Sequence, residues 1–141
     1  MGRRLGIGGL ERLYTKVTAD SHDDAPTLNV KSVLALDNDK PASAVEFIGR
    51  AVVISPNDST YLFQMAKACA AGEWWEDAAM ALRRLIYLDP MNGENWFGLG
   101  RAFEELRDPE AAYFCFNQCL ELEADHQGAL EGLNRTGRFD G

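Results

Sequence analysis

Positive charge is scarce in this chain: 14 lysines and arginines stand against 22 aspartates and glutamates, a net charge of -8. Coating a phosphate backbone needs the opposite balance, so nucleic acid is not expected as a partner. The shortage is uneven. Residues 1–16 hold four basic side chains and one acidic, whereas residues 93–141 hold four basic and ten acidic. Such a bias favours solubility and can steer a basic partner toward the surface. Long apolar runs are missing as well, since none approaches the ~18 to 20 residues of a spanning helix, and no membrane insertion is expected. The apolar start, Leu5 to Leu10, is interrupted by glycines and runs into Glu11 and Arg12, too short for the core of a secretory leader. Met1-Gly2 opens like a myristoylation signal, but the sixth residue is Gly6 where Ser or Thr is required. The three cysteines are an odd number without disulfide-framework spacing, which fits a reducing, cytoplasmic location.

Signatures of catalysis are also lacking. Neither of the two histidines has a Ser or Cys placed as a nucleophile beside it, and no Gly-x-Ser-x-Gly elbow occurs. Gly6-Ile7-Gly8-Gly9 has no strand before it and no Gly-Lys-Ser/Thr after it, so it is a lead-in rather than a phosphate cradle. Cys115 and Cys119 lie four apart with His126 nearby, but four ligands at zinc spacing are absent. These observations predict no enzyme activity, no catalytic residue, no metal and no cofactor.

What the chain does contain is a period. Ala44, Ala78 and Ala112 stand 34 residues apart. Four residues after each comes Ile48, Leu82 or Phe116, three further on Ala51, Leu85 or Cys119, and then Pro56, Pro90 and Ala124 close the pattern. A period of this length marks a stack of small helical units, each too small to bury its own apolar face. Residues 59–92 read as one helical hairpin, with Leu62, Met65, Ala66 and Cys69 on the inner face of its first helix and Ala78, Leu82 and Leu85 on the second. Residues 93–126 repeat it, packing Trp96, Leu99, Gly100 and Phe103 against Ala112, Phe116 and Cys119. Gly100 at a helix centre predicts a neighbour too close for any side chain. Residues 25–58 form the first hairpin, whose second helix, Pro41 to Ile54, fits well. Its first helix places Lys31 and Ser32 where a leucine and a small residue belong, so a local shift is expected there, with Val30, Val33 and Leu34 as the apolar face.

Leu10, Tyr14 and Val17 fall one period upstream of Ala44, Ile48 and Ala51, which predicts an N-terminal helix over Gly8 to Thr18 covering the first hairpin. Leu130 and Leu133 continue the first-helix pattern as a capping helix. The expected architecture is all-α, a right-handed superhelical stack of helix-turn-helix hairpins with three repeats, an N-terminal helix and a C-terminal cap. Residues 1–24 are the N-terminal helix and linker, 25–136 the repeat domain with its capping helix at 127–136, and 137–141 a polar tail.

The run Trp96-x2-Leu99-Gly100-x2-Phe103, followed by Ala112-x3-Phe116, resembles the tetratricopeptide repeat family. That resemblance implies a non-enzymatic scaffold whose first helices line a concave groove for a peptide or helix of another protein. The outward residues of those helices are the candidate site: Thr60, Phe63, Gln64 and Lys67 on one, Glu94, Phe97, Arg101 and Glu104 on the next. Phe63 with Lys67, and one period later Phe97 with Arg101, combine an apolar anchor with a cation; the opposing possibility is that both rings pack between adjacent first helices. Members of the family that capture the C-terminal carboxylate of Hsp70 or Hsp90 use a clamp of Lys, Asn and Arg. Here the matching positions are Asn29, Val33, Gln64, Glu94 and Gly98.

Leu85-Ile86-Tyr87-Leu88-Asp89-Pro90 followed by Trp96-Phe97-Gly98-Leu99-Gly100 is similar to the small chaperones that hold translocators in bacterial type III secretion, a specific alternative. A second alternative is the accessory repeat region of an enzyme complex such as a glycosyltransferase. End-to-end self-assembly, including a homodimer, is a third. Trp75 occupies a slot normally filled by a buried tyrosine, and Trp74 either shields the neighbouring hairpin or marks a contact on the opposite surface.

Overall fold

The computed structural model describes residues 23–137; the expected N-terminal helix at Gly8 to Thr18 lies outside them, as does nearly all of the polar tail. Among the described residues there are seven helices and no strand, an all-α helical repeat stack. They are α1 (Ala25–Asp37), α2 (Pro41–Ile54), α3 (Ser59–Ala71), α4 (Trp75–Leu88), α5 (Gly93–Glu105), α6 (Pro109–Leu122) and α7 (Gln127–Thr136). No helix among them is long and apolar enough to cross a membrane. Contacts divide the chain into two compact units, one ending at Ala81 and the other starting at Leu82.

Helix starts follow local chemistry. Asp24 Oδ1 accepts from the Thr27 N–H at 3.0 Å, Asp58 Oδ1 from the Thr60 N–H at 2.9 Å, and Asp108 Oδ1 from the Ala111 N–H at 3.1 Å. Each satisfies a first-turn donor that no helical carbonyl can reach. Helix ends repeat with the sequence period. Lys40 N–H donates to the Ala35 carbonyl, Trp74 to Cys69 and Asp108 to Phe103, at 2.8, 2.8 and 2.9 Å. The residue before each donor, Asp39, Glu73 or Arg107, has φ of 55, 63 and 63°. This is a Schellman closure used three times, each with a side chain where glycine is the usual occupant.

In the first unit the core is Leu28, Ala44, Val45, Ile48, Ala51, Leu62, Met65 and Cys69, all buried. The expected register shift in α1 does not occur. Ser32 sits fully buried in the column of Ala66, and its hydroxyl donates to the Ala44 carbonyl at 2.8 Å. A small residue is what the slot requires, and the hydrogen bond removes the cost of burying a hydroxyl. Lys31 keeps the leucine position half-buried by laying its stem along Phe47, with Nζ 5.8 Å from the ring centroid and 2.6 Å from Asp23. Val30, Val33 and Leu34 are consequently outward rather than core-facing. The two tryptophans also exchange expectations, because Trp74 is the buried one and Trp75 is half-buried. The Trp74 ring lies against Gly72, where an added Cβ would be 2.3 Å away.

In the second unit Phe116 is the centre. It is fully buried between two glycines, and a Cβ on either Gly100 or Gly132 would come within 2.6 Å of its ring. The close neighbour that Gly100 predicts is therefore a side chain of α6, and Gly132 repeats the arrangement on α7. Ala112, Cys119 and Ala129 complete the buried cluster, with Trp96, Phe97, Phe103, Leu120 and Leu133 around it.

Candidate functional site

The first helices place their outward residues differently in the two units. On α3, Phe63 is 45% exposed and Lys67 Nζ stands 5.8 Å from its ring centroid. An aromatic ring held half in water beside a cation has no role in the core of this unit, and the pair offers both dispersion and charge to a ligand. Thr60 is exposed at the start of the same helix, its N–H tied to Asp58. Gln64 is not on this surface. It is buried, and its Nε2 donates to Ser32 Oγ at 3.1 Å, so its amide joins α3 to α1 instead of facing a ligand. Val33 of α1 is exposed, and Asn29 Oδ1 is buried without a hydrogen-bond partner among the described residues.

On α5, Phe97 is half-buried. Its ring centroid lies 6.0 Å from Phe116 and 4.6 Å from His126, and it closes over Gly128, where an added Cβ would be 2.7 Å away. Packing between the first helix of one hairpin and the cap thus takes up most of this ring. Glu94 pairs with His126 Nε2, and Glu104 accepts a two-pronged contact from Arg135, with Nε at 3.0 Å and Nη2 at 2.9 Å. Hydrogen bonding to Glu104 holds the Arg135 guanidinium above its ordinary pKa. Arg101 and Glu105 remain exposed. Of the four α5 candidates, only Arg101 is therefore a charge with no ion-pair partner among the described residues.

In the sequence His126 figures only as a neighbour of Cys115 and Cys119, and Arg135 is not singled out. Arg135 lies one period after Arg101, a column that could have found it. His126 is the N-cap of α7, where its Nδ1 accepts from the Ala129 N–H at 3.0 Å. Cys119, Glu123 and His126 bring donor atoms within 4.8 Å of one another. Both imidazole nitrogens are already engaged, Nε2 by Glu94 and Nδ1 by the α7 backbone, so the group acts as a joint between α5, α6 and α7. Cys115 is outside that group. Burial pushes the Cys115 thiol up to about 12 and, with the charges of Glu123 and Glu94, the Cys119 thiol up to about 11. Neither is a nucleophilic thiolate near neutral pH.

Residues 93–126 match the family model described as tetratricopeptide repeat. That segment is a tetratricopeptide repeat. The fold is shared with solved tetratricopeptide-repeat structures at low sequence identity. The Sgt2 domain of Aspergillus fumigatus superposes with a TM-score of 0.73 at 24% identity, covering 81% of this chain and 77% of that one. The first repeat domain of Spaghetti (RPAP3), solved with the HSP90 peptide SRMEEVD, gives 0.75 at 18% identity, covering 81% and 90%. MamA gives 0.76 at 17%, covering 92% and 75%. No curated protein matches the chain significantly. Within residues 93–126 the signature positions Trp96, Leu99, Gly100, Phe103, Ala112 and Phe116 all belong to the core or its rim in the second unit.

Proposed function

We propose that this chain is a tetratricopeptide-repeat adaptor, non-enzymatic, whose first-helix surfaces hold a peptide or helix of a partner protein. The observation that carries the reading is Phe63, exposed and flanked by Lys67 on α3. The ligand that fits is a segment with an apolar side chain followed within a turn by a carboxylate, so that one contacts the ring and the other the ammonium. Solved relatives by fold are described with HSP90 and HSP70 peptides bound, which supports peptide binding as the general use of these surfaces.

An array of amphipathic peptides carrying Leu or Phe near Asp or Glu, titrated by fluorescence anisotropy, tests this. Phe63→Ala should weaken the best binder by about tenfold, equivalent to about 1.4 kcal/mol, and Lys67→Glu by at least as much, with unchanged circular dichroism. Binding indifferent to both substitutions would show that α3 is not the contact surface.

A further inference from the structure

The turn that joins α6 to α7 departs from the two equivalent turns before it in a way that the fold does not require. Cys119 stands in the column of Ala51 and Leu85, His126 in the N-cap column of Asp58 and Asn92, and Ala124 in that of Pro56 and Pro90. An alanine or a leucine fills the first slot, and a carboxylate or amide oxygen caps a helix as well as an imidazole does. The first two replacements bring a sulfur and a nitrogen donor to one corner of the second unit, the donor types that borderline-soft cations prefer.

Geometry adds the oxygens. One donor atom each from Cys119, Glu123 and His126 lies within 4.8 Å of the other two. The Glu123 carboxylate is folded against the first turn of α5, where a Cβ on Gly93 would be 2.1 Å from Oε2, so a bare backbone at 93 lets it approach. From the same turn Glu94 pairs with His126 Nε2. Because Nδ1 accepts from the Ala129 N–H, the neutral ring carries its proton on Nε2 and offers it to Glu94. A histidine that ligates a metal through one nitrogen characteristically gives its other N–H to a carboxylate, and that half of the arrangement is in place. Burial and the charges of Glu123 and Glu94 disfavour the Cys119 thiolate. A divalent cation among the three groups reverses that balance, since its charge outweighs the carboxylates and stabilises the deprotonated sulfur.

We propose that Cys119 Sγ, the Glu123 carboxylate and His126 Nδ1 form a site for a borderline-soft divalent cation such as zinc, with Glu94 orienting the imidazole and water completing four-coordination. Binding releases the Cys119 thiol proton to solvent and puts the cation in place of the Ala129 N–H at Nδ1, while Nε2–H stays on Glu94. The joint that His126 makes between α5, α6 and α7 is tightened by it. Magnesium and calcium, which take oxygen ligands, do not compete.

Cobalt(II) titrated into the full chain, with zinc added afterwards, tests the inference. A single equivalent should bind with the visible bands of a four-coordinate ion and a sulfur-to-cobalt charge-transfer band in the near ultraviolet, and zinc should abolish both. Cys119→Ala, which installs the residue its column holds at Ala51, should lose the charge-transfer band, whereas Cys115→Ala should keep it. His126→Asn retains the capping oxygen used at Asn92, and Glu123→Gln alters an exposed side chain. Both variants should therefore keep the circular dichroism of the unaltered protein and bind cobalt at least about tenfold more weakly. No charge-transfer band, a band that survives Cys119→Ala, or an affinity unchanged in both His126→Asn and Glu123→Gln would overturn the proposal.

Discussion

Asp39, Glu73 and Arg107 hold a left-handed backbone that costs an L residue about 1–2 kcal/mol. Aspartate tolerates this region better than glutamate or arginine, so the three positions are not equivalent. Glycine relieves the strain and loses part of the gain to its greater freedom when unfolded. Glu73→Gly and Arg107→Gly should each raise stability by about 0.5–1 kcal/mol, or a melting temperature by about 2–5 °C, and Asp39→Gly by less. Thermal denaturation followed by circular dichroism checks the ranking. Glycines that accommodate a ring behave oppositely. Gly100→Ala and Gly132→Ala place a methyl within 2.6 Å of the buried Phe116 and should cost about 1–3 kcal/mol, while Gly98→Ala meets only the flexible end of Leu82 at 3.1 Å and should cost less. Gly100→Arg should prevent the second unit from packing. Ser32 is the residue whose fitness the sequence concealed. It looks like an interruption of an apolar pattern, and only the Ala44 carbonyl at 2.8 Å shows why a hydroxyl belongs there.

At the scale of the element, the two ends of the described stack are fixed by different chemistry. Hydrogen bonds from the Thr27 side chain and backbone to Asp24 hold its carboxyl below the ordinary value of 3.8. A lowered carboxylate pKa means that the stabilisation is complete above the ordinary range and is lost as the pH falls from about 4 through the folded value. The start of α1 should therefore fray in mild acid, with faster amide exchange at Thr27 and Leu28, and Asp24→Asn should remove that pH dependence while keeping a cap. The raised Arg135 pKa has the opposite sense: its contribution is present throughout the pH range below that of an ordinary arginine and is lost only above it, so it is constant across the working range. Helix α7 depends more on His126, which caps its backbone, pairs with Glu94 and packs at a tilt against Phe97. His126→Ala should cost about 1–2 kcal/mol and speed exchange in α7 first, whereas the exposed Arg135→Ala should cost under about 1 kcal/mol.

For the whole molecule the sharpest expectation concerns which ligands are refused. At the places where a carboxylate clamp would stand are Asn29, Val33, a buried Gln64, an ion-paired Glu94 and Gly98, none of them a free cation. The peptide SRMEEVD should show no saturable binding in an isothermal titration at concentrations that saturate clamp-bearing domains. Apolar-acidic peptides recognised through Phe63 and Lys67 should bind under the same conditions.

Helix positions among the described residues, the repeat register outside α1 and the close contact at Gly100 were legible because each depends on spacing along a helix, and spacing is written in the chain. The candidate surface was legible only in part. Phe63 and Lys67 emerge on the outside as expected, while Gln64 turns inward to Ser32 and Phe97 is covered by Gly128 and His126. Those outcomes depend on partners 32 and about 30 residues away, whose hydrogen bonds and ring contacts no local pattern specifies.

By itself the sequence determined that this is an all-α repeat protein, because the small, bulky and turn-forming residues recur at one interval and each hairpin is held mainly by neighbours within that interval. Only the tertiary structure decided which polar side chains are structural and which are free. A glutamate, a glutamine or an arginine on a helix surface reads the same in the chain whether it meets water or a partner, and the difference arises when a distant helix brings the matching group within hydrogen-bonding distance.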